Sequence, residues 1–177
     1  MCSSDLDAME VMLTRKSIKK YKPDPVAKEL IEQVIEAGLN APSGLNKQSP
    51  IILAVTDKKV RDELSKLNAG KDPFFRADPF YGAPVVLVVL ADKSVPTYLY
   101  DGSLVMENLQ LAAQALGLGA CWIHRAKETF EMPEGKAILQ KLGLEGEYEG
   151  IGNCILGYAD IDPEKKPRKE NRVFWIE

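Results

Sequence analysis

Apolar side chains recur every three or four residues in five segments of the chain, which is the pattern of an amphipathic helix. These segments are residues 8–18, 26–39, 58–67, 100–116 and 135–142. Four shorter apolar runs, bounded by turn-forming residues, predict strands at residues 51–55, 84–90, 120–123 and 151–158. Because helices and strands alternate along most of the chain, the pattern predicts one α+β domain built in layers.

Two of these segments are unusually apolar. The strand at residues 84–90 is an almost unbroken run of Val and Leu, which predicts burial on both of its faces. The helix at residues 100–116 has only a thin polar stripe, formed by Glu107, Asn108, Gln110 and Gln114. A helix that is apolar on most sides must be covered on most sides, and a second subunit is one source of that cover.

Composition and charge exclude several classes of protein. A net charge of −3 argues against broad nucleic-acid binding, which needs a basic surface. No apolar run approaches the roughly 20 residues of a membrane span. Three scattered cysteines and a single histidine argue against a disulfide framework and against a multi-histidine metal site. Residues 1–7 lack the pattern of a signal peptide and are predicted to be a leader, so we expect one cytoplasmic domain over residues 8–177.

Two basic clusters lie near opposite ends of the chain. Arg15, Lys16 and Ser17 place two cations and a hydroxyl where the first helix ends, a mixture that suits a phosphate group. Lys166 and Arg168 belong to a second cluster near the other end. Both clusters also have the composition of solvated charged runs, so the sequence alone does not bring them to one ligand.

Two further segments combine glycine with polar residues. Residues 42–48, Pro-Ser-Gly-Leu-Asn-Lys-Gln, follow the second helix and offer backbone N–H groups and amide side chains to a ligand. Residues 117–125 contain two glycines, a predicted strand, and then His124 and Arg125. Cys121 lies inside that strand, where a cysteine is more often inert core than a reactive thiol.

In this order and at these spacings, the motifs resemble the nitroreductase family of FMN-dependent oxidoreductases. The resemblance runs from about Ala8 to Trp175. It implies a three-layer α/β/α domain with a central, mostly antiparallel sheet, and a homodimer with FMN at the interface. One departure is that the family commonly continues the 42–48 motif with Gln-Pro-Trp, whereas Gln48-Ser49-Pro50 stands here, so no aromatic contact is expected from this loop.

The resemblance also implies a set of cofactor-binding residues. The FMN phosphate and ribityl chain are expected at Arg15, Lys16, Ser17, Lys166 and Arg168. The loop of the partner subunit is expected to approach the flavin through Pro42, Ser43, Gly44 and Asn46. The pyrimidine edge is expected near Asn68 and Lys71. The N5 side is expected to be covered by Trp122, Ile123, His124 and Arg125.

The implied function is the transfer of electrons from NAD(P)H, through FMN, to a nitroaromatic, quinone or similar electron-poor small molecule by a ping-pong mechanism. The chemistry then occurs at flavin N5, and no side-chain nucleophile or base is expected. Phe74 and Phe75 lie in an aromatic, proline-containing stretch, and their rings either fill gaps in the core or form a wall against a planar substrate. A flavin-binding or redox-sensing protein without turnover, or a specialised relative such as a reductive dehalogenase, are the alternatives.

Overall fold

The computed structural model describes residues 7–70 and 78–177, and these form six α-helices, four strands and one 3₁₀ turn. The helices are α1 (Ala8–Thr14), α2 (Lys28–Leu39), α3 (Lys58–Ala69), α4 (Tyr98–Ala115), α5 (Ala126–Glu131) and α6 (Pro133–Lys141). The strands are β1 (Pro50–Val55), β2 (Val85–Asp92), β3 (Gly119–Ile123) and β4 (Tyr148–Gly157), and the 3₁₀ turn is Gly44–Asn46.

The four strands form one sheet in the order β1-β2-β4-β3, and every neighbouring pair is antiparallel. All residues of β2 except Asp92 are buried, so the burial on both faces that its Val-rich sequence predicts is confirmed. β3 lies at one edge of the sheet, and Ser17 forms an isolated parallel bridge with Ala120 beyond it. The segment that follows α1 therefore runs alongside this edge strand.

Helices pack on both faces of the sheet and produce two cores. On one face, Val34 of α2 and Leu109 of α4 pack with Leu87 of β2. On the other face, Leu64 of α3 and Phe130 of α5 belong to the core that β2 enters through its alternate residues. This arrangement is the three-layer α/β/α fold with an antiparallel sheet that the sequence predicts, and that prediction is confirmed.

Two details of the predicted helices are wrong. The first helix ends at Thr14 rather than at residue 18, because Arg15 adopts an extended backbone and Ile18 donates its N–H to the Ala120 carbonyl at 3.0 Å. The six-residue helix α5 is missing from the prediction, since fewer than two turns give no recognisable period. Pairing with the edge of the sheet therefore shortens the first helix. The second error arises because α5 is too short to show a helical pattern.

Carboxylates cap two helices at their N-termini. Asp57 accepts hydrogen bonds from the backbone N–H groups of Lys59 and Val60 at 2.9 and 3.0 Å, as its position in the sequence predicts. Asp7 accepts from the N–H of Glu10 at 2.9 Å, so the fold includes a residue that the sequence assigns to the leader. Within residues 7–70 and 78–177, no helix has the length and apolarity needed to cross a membrane.

Candidate functional site

The segment after α1 divides its three predicted site residues between two sides. Arg15 points toward α4, where its Nη1 donates to Gln110 Oε1 at 3.4 Å and its Nε lies 3.5 Å from Glu107 Oε1. Lys16 instead forms an ion pair with Asp162, which precedes the C-terminal segment. Successive side chains of an extended backbone point in opposite directions, which explains the separation.

Positive charge and a hydroxyl meet at the first half of β3. Ser17 hydrogen-bonds the sulfur of Cys121, and Lys19 and Arg15 act on the same sulfur through their charges. Burial raises the pKa of the Cys121 thiol above its ordinary value, although Ser17 and the two cations oppose that increase. The thiol therefore stays protonated at neutral pH, in agreement with an inert role.

The other end of β3 is held by the C-terminal end of α3. The Asn68 side chain is buried and donates to the His124 carbonyl at 2.8 Å. Arg125 donates through Nη1 to the Ala69 carbonyl at 3.3 Å, and its own backbone is left-handed, with φ at 74°. A residue with a side chain rarely adopts this conformation, and such strain is concentrated at ligand-binding and catalytic sites. The structure thus brings together Asn68, His124 and Arg125.

Trp122 and Ile123 lie between these two ends. Asn153 on β4 donates to the Ile123 carbonyl at 3.4 Å. A Cβ atom on Gly152 would lie 2.5 Å from Trp122 Nε1, so the absence of a side chain there lets the indole approach the β4 backbone. Since a strand rises about 3.3 Å per residue, the four steps from Ala120 to His124 span about 13 Å. The edge of β3 is therefore an elongated surface with polar groups at both ends.

The 42–48 loop lies elsewhere on the same chain, at the N-terminus of α4. The Gly44 N–H donates to Asp101 Oδ1 at 3.0 Å, and the Gln48 N–H donates to Ser43 Oγ at 3.0 Å. Asn46 is exposed and accepts from the Gln48 side chain at 3.1 Å, and Pro42 is exposed as well. Nine residues of helix separate Asp101 from Gln110, which is about 13 Å along α4. The loop is therefore distant from Arg15 of its own chain.

The remaining predicted site residues are not brought to this edge. Lys166 and Arg168 lie in the exposed C-terminal segment. Among the described residues, no hydrogen bond or ion pair joins either of them to Arg15 or Ser17. Lys71, Phe74 and Phe75 lie outside the described residues. Residues 7–70 and 78–177, which the structure describes, contain no group of three or more His, Cys, Asp or Glu that could hold a metal ion.

The sequence motifs do not include three polar residues that lie near the predicted site residues. Gln110 is buried beside Arg15, Lys19 adds a cation near Ser17, and Asp101 is a buried carboxylate against the 42–48 loop. Gln110 and Asp101 occur on a helix that is otherwise apolar, and a buried polar residue on such a helix must find a hydrogen-bond partner. That requirement is the signal in the sequence that could have identified them.

Comparisons with known proteins identify the family to which this chain belongs. The model of the nitroreductase family matches residues 12–163. An NADPH-flavin oxidoreductase from Vibrio harveyi is 30% identical over 180 residues, which cover 92% of this chain and 70% of that protein. A protein from Methanothermobacter thermautotrophicus, provisionally named NADH dehydrogenase/NAD(P)H nitroreductase, is 29% identical over 128 residues, or 67% of this chain and 61% of that protein.

A solved structure supports the fold over nearly the whole chain. The nitroreductase with bound FMN from Bacteroides fragilis has a TM-score of 0.85 at 24% identity and covers 97% of this chain and 99% of that one. At this identity the likeness supports the fold alone, and the fold is the one described above. Because the family model spans most of the 177 residues, the chain belongs to the nitroreductase family, and the resemblance noted in the sequence is confirmed.

Proposed function

We propose that this chain is an FMN-dependent oxidoreductase that passes electrons from NAD(P)H to nitroaromatic, quinone or similar electron-poor small molecules by a ping-pong mechanism. The observation that carries the proposal is the edge of β3, where Arg15 and Ser17 meet one end and Asn68, His124 and Arg125 converge on the other. The Vibrio harveyi relative is named for NADPH and flavin, and the Bacteroides fragilis structure contains FMN, which supports the same cofactor here.

The residues at this edge fit the chemistry of FMN. A phosphate group is bound well by a guanidinium and a small hydroxyl, and Arg15 and Ser17 supply both, with Lys19 nearby. Glu107 occupies only part of the Arg15 fork, which has five N–H donors. A flavin ring also needs flat surface and fixed polar groups along its edge, and the strand residues from Trp122 to Arg125 offer these. When bound, FMN supplies the hydride and electron transfer.

Within this proposal, the chain's residues bind and orient. Arg15 and Ser17 hold the phosphate, and Lys166 and Arg168 add charge when the C-terminal segment approaches it. Asn68 fixes the backbone of His124, and its buried amide keeps the end of β3 in one arrangement before any ligand arrives. Such preorganisation reduces the entropy that binding must overcome and keeps reacting atoms within about 3–3.5 Å.

We propose a homodimer, because large apolar side chains of α1, α4 and the 42–48 loop are exposed. They include Met9, Met12 and Leu13 on α1, Leu99, Tyr100 and Leu104 on α4, and Leu45 in the 42–48 loop. A second chain that covers this surface could bring its own 42–48 loop, with Pro42, Ser43, Gly44 and Asn46, to the flavin. The two described cysteines, Cys121 and Cys154, are buried free thiols, which suits the reducing cytoplasm that we propose as the compartment.

We assign the binding of the electron acceptor to Phe74 and Phe75, and contact with the flavin edge to Lys71, on the grounds given by the sequence. Aromatic rings would stack on planar acceptors. Replacing Phe74 or Phe75 by Ala should change kcat/KM differently for small and large acceptors, with FMN content unchanged. An equal fall for all acceptors together with a lower melting temperature would assign these rings to the core.

One spectroscopic experiment tests the proposed function. The purified protein should be yellow, should lose its absorbance on anaerobic addition of NADH or NADPH, and should regain it when a nitroaromatic or quinone is added. Initial rates at varied concentrations of both substrates should give parallel double-reciprocal lines, as a ping-pong mechanism requires. Colour that is not bleached would indicate a flavin-binding protein without turnover, and a protein that binds no flavin would refute the proposal.

A further inference from the structure

A buried carboxylate anchors the 42–48 loop to α4. Asp101, in the first turn of the helix, accepts from the Gly44 N–H at 3.0 Å through Oδ1. Its Oδ2 accepts from Ser49 Oγ at 3.1 Å and from Thr97 Oγ1 at 2.9 Å. Asp101 is only 2% exposed, and no ion pair among the described residues involves it. A buried carboxylate that lacks a cation needs several hydrogen-bond donors, and here two of the three come from the loop and its connection to β1.

The loop that Asp101 holds is strained. Leu45, Asn46 and Gln48 all have positive φ angles, of 50°, 52° and 50°. Asn is tolerated in this region, but Leu and Gln rarely adopt it. Three such residues within four positions persist only where surrounding contacts determine the backbone, and strain of this kind is concentrated at ligand clamps. The Leu45 side chain is 92% exposed, so burial of that side chain is not what holds the loop.

Gly44 sits against α4 without space for a side chain. A Cβ atom there would overlap Thr97 Oγ1 and lie 2.8 Å from Thr97 Cγ2. Two different contacts therefore fix the same point of the loop, namely a hydrogen bond to Asp101 and a close approach to Thr97. Both come from the start of α4, a helix that packs in the core, so the loop is anchored to the core.

We propose that Asp101 is a positioning residue that holds the 42–48 loop in the conformation required at the flavin of the partner subunit. This inference rests on the proposed function, because only a flavin at a subunit interface gives the loop a ligand. The Gly44 N–H is occupied by Asp101, and the exposed polar side chains that the loop can present to a partner are Asn46, Lys47 and Gln48. Loss of the hydrogen bond between Gly44 and Asp101 would allow the loop, and with it these groups, to adopt other conformations.

The test compares Asp101→Asn with wild type in two measurements. Hydrogen–deuterium exchange on the flavin-free protein should show the Gly44 amide exchanging at least about tenfold faster, because Asn leaves one acceptor oxygen for the three donors that the two carboxylate oxygens of Asp101 accept. Titration of the flavin-free protein with FMN, followed by flavin fluorescence at a temperature where the variant is folded and dimeric, should show a dissociation constant raised about tenfold. Glu63→Gln, which removes an exposed charge on α3, is the matched control and should change neither value.

Milder variants keep the test decisive if Asp101→Asn does not fold. Ser49→Ala and Thr97→Val each remove one donor to the same carboxylate, and each should give a smaller increase in both values. Faster Gly44 exchange with unchanged FMN affinity would overturn the positioning role, and unchanged exchange would overturn the anchoring itself. If wild type binds no FMN, the proposed function fails, while the exchange measurement still reports whether Asp101 holds the loop.

Discussion

Neighbouring residues of the segment after α1 have different partners, and this difference sets their expected effects on cofactor binding. We predict that Arg15→Ala raises the FMN dissociation constant by about 10- to 100-fold, because a hydrogen bond between a guanidinium and a phosphate contributes about 1.5–3 kcal/mol. Lys16→Ala should have a much smaller effect, since Lys16 pairs with Asp162. Isothermal titration of the flavin-free proteins measures both.

The same titration tests whether the C-terminal cluster reaches the phosphate. Arg168→Ala should also weaken binding, and the double variant with Arg15→Ala should lose less than the sum of the two changes, because groups on one ligand couple. FMN affinity that is unchanged in Arg15→Ala would contradict the assigned phosphate site. Equal losses in Lys16→Ala and Arg15→Ala would mean that net charge, rather than position, determines the affinity.

Asp78 forms a partly buried hydrogen-bond network with Arg61 and Ser65 of α3. It accepts hydrogen bonds from Arg61 Nη2 at 2.6 Å, Ser65 Oγ at 2.7 Å, and the backbone N–H groups of Phe80 and Gly82 at 3.0 and 2.7 Å. Burial raises the pKa of this carboxyl, but the hydrogen bonds from Arg61, Ser65 and Gly82 outweigh burial and hold the pKa below its ordinary value.

We predict that Asp78→Asn lowers the free energy of unfolding at neutral pH by about 2 kcal/mol, the scale of a lost hydrogen bond to a charged group. Because the folded pKa is lowered, the contribution of Asp78 is fully present above the unfolded carboxyl pKa. It is lost as the pH falls through the folded pKa. Urea unfolding at several pH values should therefore show wild type and variant converging below about pH 4. A difference that is constant down to the lowest pH would contradict this assignment.

At the scale of elements, glycines of β4 allow a helix to pack directly on the sheet. A Cβ atom on Gly150 would overlap the backbone of Ala126 at the start of α5. We predict that Gly150→Ala lowers the free energy of unfolding by about 3 kcal/mol, because backbone atoms cannot rotate away from the added methyl group. Gly143→Ala is the control, since its site is open and only its φ of 68° opposes a side chain, at about 1–2 kcal/mol. Equal losses in urea unfolding would rule out the packing explanation.

The elements that the sequence predicts correctly are those with long periodic patterns. β2 and α4 are both found within two residues of the predicted ends, since eight and 18 residues give a clear signal. α5 has six residues and escapes detection, and the first helix loses residues 15–18 to the edge of the sheet. Pairing with β3 is a contact between distant parts of the chain, which a local pattern does not contain. Gly150 leaves room for the start of α5, and Gly152 leaves room for the Trp122 ring. These glycines are visible in the sequence, but the sequence does not say which elements pack against them.

At the scale of the whole molecule, the sequence identifies motifs but not the direction in which their side chains point. Arg15, Lys16 and Ser17 form one motif in the sequence, yet Lys16 lies on the side of Asp162 and the other two face Gln110 and Cys121. The 42–48 loop and Arg15 likewise contact α4 at two different places, Asp101 and Gln110, which are about 13 Å apart along the helix. Both separations arise from the tertiary fold, which a local pattern in the sequence does not contain.

Large apolar side chains are exposed on both α1 and α4, as expected of a surface that a second chain covers. Leu104 lies on α4 and is 44% exposed, so a charge at this position should leave a single chain folded. The same charge should destabilise an interface between two chains, because it would be buried there without a partner. We predict that wild type is a dimer at micromolar concentration with an interface larger than about 1,600 Å². Leu104→Asp should raise the dimer dissociation constant at least about 100-fold. Light scattering and sedimentation over a range of concentrations measure both.

Leu142→Asp is the matched control, because Leu142 is also exposed, at 58%, but follows α6 on the opposite layer of the sheet. This variant should remain a dimer and retain FMN. Since the 42–48 loop contacts α4 at Asp101, about 13 Å along the helix from the Gln110 that Arg15 contacts, the loop that reaches the flavin is expected from the partner, and the monomer formed by Leu104→Asp should also lose FMN. A wild-type monomer with FMN fully bound would overturn the dimer and, with it, the assignment of the loop to the flavin of a partner. A Leu104→Asp monomer that keeps its FMN would leave the dimer standing but would mean that each chain holds its cofactor alone.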